Sequence, residues 1–302
     1  MQDVINRARF MMARFVIPRN ILFLFFNLIT FIIFYTPLKA LIALSLSSDD
    51  LYSHIIIIPL ISGYFIYLKR KEIASNIRYS LNAGIILITI GLILYLIGVN
   101  QKGVLNQNDY LSLTIFSLVV SWIGGFILFY GVQAFREAIF PILLLIFMIP
   151  VPGLIIDTII FLLQKGSTEV AYAFLRLTGI PVFREGFLFH LPGISIEVAK
   201  ECSGIRSSIG LLITSLMAGH LFLKTGWRKS ILSLSVFPIA IVKNGLRIVT
   251  LSLLAVYVDE RILSSALHHK GGIVFFIPSL FFLWLILSVL RKSEKGEKRL
   301  GD

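Results

Sequence analysis

Charge is scarce in this chain. Only 15% of its 302 residues are charged, 57% are hydrophobic, and the mean hydropathy is +0.90. Soluble domains carry about 25% charged and 45–50% apolar residues, so the polar surface here is too small to cover a water-facing globule. Disorder is excluded for the same reason. There is a single cysteine, Cys202, which rules out an internal disulfide framework and any multi-thiolate metal site; neither a metal nor a cofactor is expected. Internal repeats, low-complexity tracts and linkers that would set off a soluble domain are also lacking. The chain therefore reads as one integral membrane domain over residues 1–302, with a core over 20–290, an outer-face cap over 151–201 and a basic cytoplasmic tail over 291–302. Acidic residues are few, 16 against 28 Lys and Arg, for a net charge of +12. Such a surplus invites a nucleic-acid reading, but membrane proteins acquire it by holding Lys and Arg at cytoplasmic helix ends. No nucleic-acid partner is expected, and membrane lipids are.

Long apolar runs are what the chain has instead. About 20 apolar residues span a bilayer as a helix, and lipid offers no partner to unpaired backbone groups, so spanning segments are expected to be helical. Eight runs qualify: 20–44, 52–68, 81–99, 111–131, 138–154, 203–223, 230–257 and 272–290. The expected fold is an all-α polytopic membrane protein of about eight transmembrane helices. If the spans alternate, 17 of the 28 basic residues fall on one side, from Arg7 and Arg9 through Lys69, Arg136 and Lys229 to Arg291 and Arg299. That places both termini in the cytoplasm of a plasma-membrane protein. The first run is too long for a cleavable signal and reads as a signal anchor.

One stretch departs from the pattern of short connections. Between Ile149-Pro150-Val151-Pro152-Gly153 and Cys202 lies an outer-face cap. Residues 154–177 are apolar but interrupted by Asp157, Gln164, Lys165, Glu169 and Arg176, which suits an interfacial helix, with a ninth full span as the competing reading. Further on, Phe187, Phe189 and Leu191, then Ile194, Ile196 and Val198, alternate on either side of Leu191-Pro192-Gly193. Period-two alternation about a Pro-Gly turn predicts a small two-stranded β-hairpin.

The chemistry follows that hairpin. Cys202 sits in Glu201-Cys202-Ser203-Gly204-Ile205-Arg206, before an apolar run, so the expected setting is a helix N-terminus capped by Ser203, Ser207 or Ser208. The helix dipole and the Arg206 cation both favour a thiolate, although a lone cysteine also serves as a small buried hydrophobe. Arg247 stands in an otherwise apolar span, where a charge costs at least about 2.5–3.5 kcal/mol and calls for a partner; a buried carboxylate or a functional anion meets that need equally. Lys243, one helical turn earlier, shares its face. His268, with His269 beside it, falls at the mouth of the last span, as a solvated loop residue or as a base. Thiol, imidazole and guanidinium on one membrane face together suffice for acyl transfer. A transport or polysaccharide-export component with Lys243 and Arg247 lining an anion route is the non-enzymatic alternative.

Glu-Cys-Ser-Gly-Ile-Arg at 201–206, Asn-Gly-Leu-Arg at 244–247, and His268 with Gly272 and Phe276 resemble the three signatures of the exosortase/archaeosortase family. Tyr52-Ser53-His54, Ile149-Pro150-Val151-Pro152 and Glu185-Gly186 resemble its upstream elements in the same order. Archaeal members carry Arg where this chain has His268, so the likeness is to the bacterial exosortase branch. The resemblance implies a multi-spanning cysteine protease and transpeptidase, a hydrolase of protein sorting. Its partners would be secreted proteins with a C-terminal sorting signal, such as a PEP-CTERM tail, and an amine acceptor on a surface anchor such as a lipid. By position it makes Cys202 the nucleophile, Arg247 the transition-state arginine and His268 the acid/base, with His269 set aside by motif register. Glu201, Arg206 and Lys243 are the accompanying candidates for holding substrate.

Overall fold

The computed structural model describes residues 19–46, 51–75, 79–259, 261 and 272–301. The protein is a helical polytopic membrane protein, 81% helical, and its chain divides into two compact units, Met1–Gly153 and Leu154–Asp302.

In the first unit α1 (Arg19–Ile33) is followed by α2 (Tyr35–Leu46) across a bend of 73°. Pro37 explains it, because a proline has no N–H for the carbonyl four residues back. The orphaned carbonyl of Ile33 accepts instead from the Tyr95 hydroxyl at 2.9 Å. Next come α3 (Ile57–Leu68), α4 (Arg70–Ser75), α5 (Leu81–Asn100), α6 (Gln107–Glu137) and α7 (Ile139–Leu144), the last prolonged by a 3-10 turn over Leu145–Met148. Pro141 repeats the logic: the Glu137 carbonyl, four residues earlier, accepts from Lys69 Nζ at 3.2 Å. Helix breaks at membrane depth persist when side chains take up the freed backbone groups in this way. The two prolines after α7 end it for good. There the Pro150 carbonyl accepts from Ser112 and the Val151 carbonyl from Asn108, each at 2.6 Å, and the Gly153 N–H donates to Asp109 at 2.6 Å.

The tightest packing in this unit joins α5 to α6. Gly84, Gly91 and Gly98 recur at heptad spacing and are buried; a Cβ at Gly91 would collide with Ser121 Oγ and lie 2.8 Å from the Ser121 backbone nitrogen. Small residues let backbones in a membrane approach this closely. Gly91→Leu is therefore expected to lower the midpoint of thermal unfolding in detergent, whereas Gly63→Leu, with nothing within 4 Å of its Cβ position, leaves it unchanged.

In the second unit α8 (Gly153–Leu177) leads into β1 (Phe183–Glu185), β2 (Leu188–Leu191) and β3 (Ile194–Glu197), then a 3-10 turn (Lys200–Ser203), α9 (Ile205–Phe222), α10 (Gly226–Leu234), α11 (Val236–Tyr257) and α12 (Gly272–Gly301). One stripe of α8 is buried, with Ile156, Leu163, Ala171 and Leu175 along it. The expected hairpin is present: Leu191 pairs with Ile194 across Pro192-Gly193, and Gly193 takes φ 82° at the second corner. The sheet has three strands, however, not two, in the order β1-β2-β3. β1 is three residues long and two of them are charged, Arg184 and Glu185, so it carries no alternating pattern to read. What holds it is tertiary, a bidentate pair from Arg184 to Glu169 of α8 at 2.8 and 2.9 Å.

Among the described residues five helices are long and apolar enough to cross a membrane, or up to seven if each of two bent pairs makes one span. Eight were expected. Residues 51–56 form turns, which leaves α3 with 12 residues, about 18 Å against a hydrocarbon core of about 30 Å. The run 138–154 is cut by its prolines. At the other end of the chain, residues 291–301 continue α12 as helix. Glu294 there accepts from the backbone N–H groups of Lys224 and Thr225, at 3.1 and 2.8 Å, and from the Thr225 hydroxyl. It thereby caps α10 from a distant point in the chain. Arg228, 1% exposed, pairs with the same carboxylate at 3.6 Å.

Candidate functional site

Cys202 is carried by the 3-10 turn, where its N–H donates to the Ala199 carbonyl at 3.0 Å. It does not begin α9. Gly204 intervenes with φ 72° and ψ 17°, a left-handed conformation that only glycine adopts without steric cost. The expected serine caps are correspondingly not made. Ser207 and Ser208 donate back to the Gly204 carbonyl at 2.8 and 2.9 Å, and Ser203 is buried before the turn is complete, its hydroxyl without a partner among the described residues. The left-handed residue reverses the chain, so the thiol is set ahead of the helix rather than in its first turn.

The turn is gripped from α11. A Cβ at Gly245 would lie 2.6 Å from Val170 Cγ1, so this glycine is what allows α11 its close approach to α8. On either side of the same level, Asn244 Nδ2 donates to the Cys202 carbonyl at 2.5 Å and Lys243 Nζ donates to Ser207 Oγ. A Cβ on Gly204 would come 3.0 Å from Asn244 Oδ1. Backbone conformation and side-chain contact thus fix the same residue twice. Arg247, one turn beyond Asn244, lies on the same face of α11.

Between these elements is a small cleft lined by Ile196, Glu197 and Val198, by Cys202, and by Asn244, Arg247, Ile248, Leu251 and Ser252. Its floor continues into an apolar cluster of Ala171, Leu175, Phe189, Val198 and Ile248. Asn244 Oδ1 and Ser252 Oγ are buried on its wall with no hydrogen-bond partner among the described residues. A buried polar atom left unsatisfied costs about 1–3 kcal/mol, so both residues are costly placements for an apolar helix. A thiol, a guanidinium and two such groups in a mostly apolar cleft supply a nucleophile and a cation for a developing oxyanion.

Of the residues singled out from sequence, Cys202 and Arg247 come together in this cleft. Lys243 is buried and turned to Ser207, on the supporting side of the turn. Arg206 is exposed in the first turn of α9. The Glu201 side chain lies outside the described part, as do His268 and His269. Two side chains have roles that the sequence does not assign. Asn244 holds the Cys202 carbonyl, and Gln164 of α8, 6% exposed, donates to the Val198 carbonyl at 2.5 Å. Each is an amide in an apolar helix, a costly placement that itself signals a required partner. Asn244→Leu removes a donor and leaves a carbonyl unsatisfied, so thermal unfolding in detergent is expected at a lower temperature, and alkylation of Cys202 to become slower in the protein that remains folded.

No curated protein and no solved structure matches the chain. The model of the transmembrane exosortases matches residues 45–285, most of the chain, and that range takes in the sheet, the Cys202 turn and α11. The protein belongs to the transmembrane exosortase family.

Proposed function

We propose that this exosortase is a cysteine endopeptidase and transpeptidase acting on the outer face of the plasma membrane, with both termini in the cytoplasm. The substrate is a secreted protein whose C-terminal sorting signal is retained at the membrane. Cys202 gives its proton to His268 and attacks the carbonyl at the cleavage point, Arg247 balances the charge that develops on its oxygen, and the leaving amine departs with the proton held by His268. The resulting thioester passes the acyl group to an amine on a surface anchor such as a lipid, which yields its proton to His268 and restores the thiol. Arg206, exposed beside the turn, and Glu201 meet the polar part of the substrate, while Lys243 supports the turn from behind. The observation that carries this reading is that Cys202 and Arg247, forty-five residues apart in sequence, line one cleft. The His268 role rests on its motif position, and the orientation on the one-sided distribution of Lys and Arg.

The test uses the single cysteine. On intact cells a membrane-impermeant maleimide is expected to label the protein at neutral pH, and Cys202→Ala to abolish the label. Reporter fusions after Lys71, Arg136 and Lys229 are expected to read cytoplasmic, and fusions near Asn108 and Gly193 external. An internal signal at Gly193 overturns the outer-face assignment.

A further inference from the structure

Three consecutive residues, Ile196, Glu197 and Val198, line the cleft. Successive side chains on a strand point to opposite faces, so one cavity can meet all three only along the strand's edge, where the backbone is. β3 is an edge strand of the sheet. Its ladder shows which groups face outward. Val198 donates its N–H to the Phe187 carbonyl at 2.9 Å, and Phe189 stands opposite Ile196 in the same register. Hydrogen-bonded and non-hydrogen-bonded pairs alternate in an antiparallel ladder, so Ser195 and Glu197 direct their backbone groups away from β2. The Glu197 carbonyl is taken by the Ala199 N–H at 3.1 Å, which makes the Glu197 N–H the donor on the cleft side. Asn244 and Ser252 line the same cleft, each with a buried oxygen that has no partner among the described residues, and so does Cys202. An extended polypeptide presents N–H and C=O groups along both edges, and it is the ligand that satisfies a strand edge on one side and isolated polar atoms on the other.

We infer that β3 is the docking strand for the substrate polypeptide, which adds to its edge as a fourth, extended strand and so brings a main-chain carbonyl over Cys202. The inference rests on Cys202 being the nucleophile, and it assigns recognition in this segment to main-chain hydrogen bonds rather than to a side-chain pocket.

The test uses alkylating probes of defined backbone on the full-length protein in detergent: chloroacetamide, an acetyl-alanine chloromethyl ketone and an acetyl-tetra-alanine chloromethyl ketone. In each the thiolate displaces chloride and forms a carbon–sulfur bond. Two main-chain hydrogen bonds correspond to about a tenfold gain, so the tetra-alanine probe is expected to alkylate Cys202 about ten times faster than the single-residue probe. N-methylation of alternate amides in the tetra-alanine probe is expected to cancel the gain at one set of positions and spare it at the other. Glu197→Pro, which deletes the outward N–H and no ladder bond, is expected to bring the tetra-alanine rate down toward the single-residue rate. Equal rates for both peptide lengths, uniform sensitivity to N-methylation, or an undiminished tetra-alanine rate in Glu197→Pro overturns strand docking while leaving the nucleophile in place. Failure of all three probes to alkylate Cys202 overturns the nucleophile and the docking strand together.

Discussion

Cys202→Ala is expected to abolish trimming of the substrate's C-terminal signal while leaving the protein in the membrane at normal amounts. The two halves of that expectation have separate causes. The structural link at this residue is made through its carbonyl, which accepts from Asn244 Nδ2, and alanine retains the carbonyl. The thiol itself is half-buried at the border of the apolar cluster, where alanine keeps the Cβ and removes one heavy atom from the packing. In the proposed mechanism the chemistry depends on it entirely, since no other side chain lining the cleft is a thiol and a hydroxyl there lacks a base strong enough to ionise it. Cys202→Ser is expected to be as inactive as Cys202→Ala. Substrate cleavage normalised to membrane-inserted protein measures both, and trimming near the native rate in either variant removes Cys202 from the mechanism. A transport component, by contrast, predicts that neither change alters the protein's action.

Arg247→Lys is expected to lower cleavage by about 10²–10³-fold, the cost of losing one preorganised donor to an oxyanion, although the charge is kept. A guanidinium presents a planar fork of donors at the end of a longer side chain, whereas an ammonium is a compact point charge on a flexible stem. Shifting the point of donation within the small cleft takes it away from where the proposed mechanism puts the carbonyl oxygen. His268→Ala is expected to be comparably severe and His269→Ala mild. An arginine with a purely structural role gives the opposite pattern: Arg247→Lys is tolerated, and Arg247→Leu reduces the quantity of inserted protein rather than its specific activity. Full activity in both Arg247→Lys and His268→Ala would falsify the transpeptidase mechanism.

Local physics accounts for which expectations survived. Apolar runs mark membrane helices because desolvation is a property of the run itself, and the Pro192-Gly193 hairpin was legible because its turn residues and alternation are adjacent in sequence. Where a proline falls in such a run, sequence warns of a break but does not say how it resolves. Ser62, Lys69, Tyr95, Asn108 and Ser112, which take up the freed groups around Pro37, Pro141 and Pro150, come from other helices. The span over 52–68 was overcounted for a related reason: hydropathy is blind to residues 51–56 forming turns instead of helix.

Composition and short contiguous patterns were enough to establish that the chain is a helical membrane protein, that a lone thiol and an arginine within an apolar span stand out in it, and that its motifs are those of the exosortases. Such features need no partner to be read. Packing between distant segments, and nothing local, sets Cys202 ahead of α9 behind a left-handed glycine, closes Asn244 and Lys243 on that turn, completes the sheet with β1 through Arg184 and Glu169, and brings the edge of β3 and Arg247 to one cleft. Each of these depends on a hydrogen bond, an ion pair or a close backbone approach between residues far apart in the chain, and such contacts leave no periodic trace in the sequence that makes them.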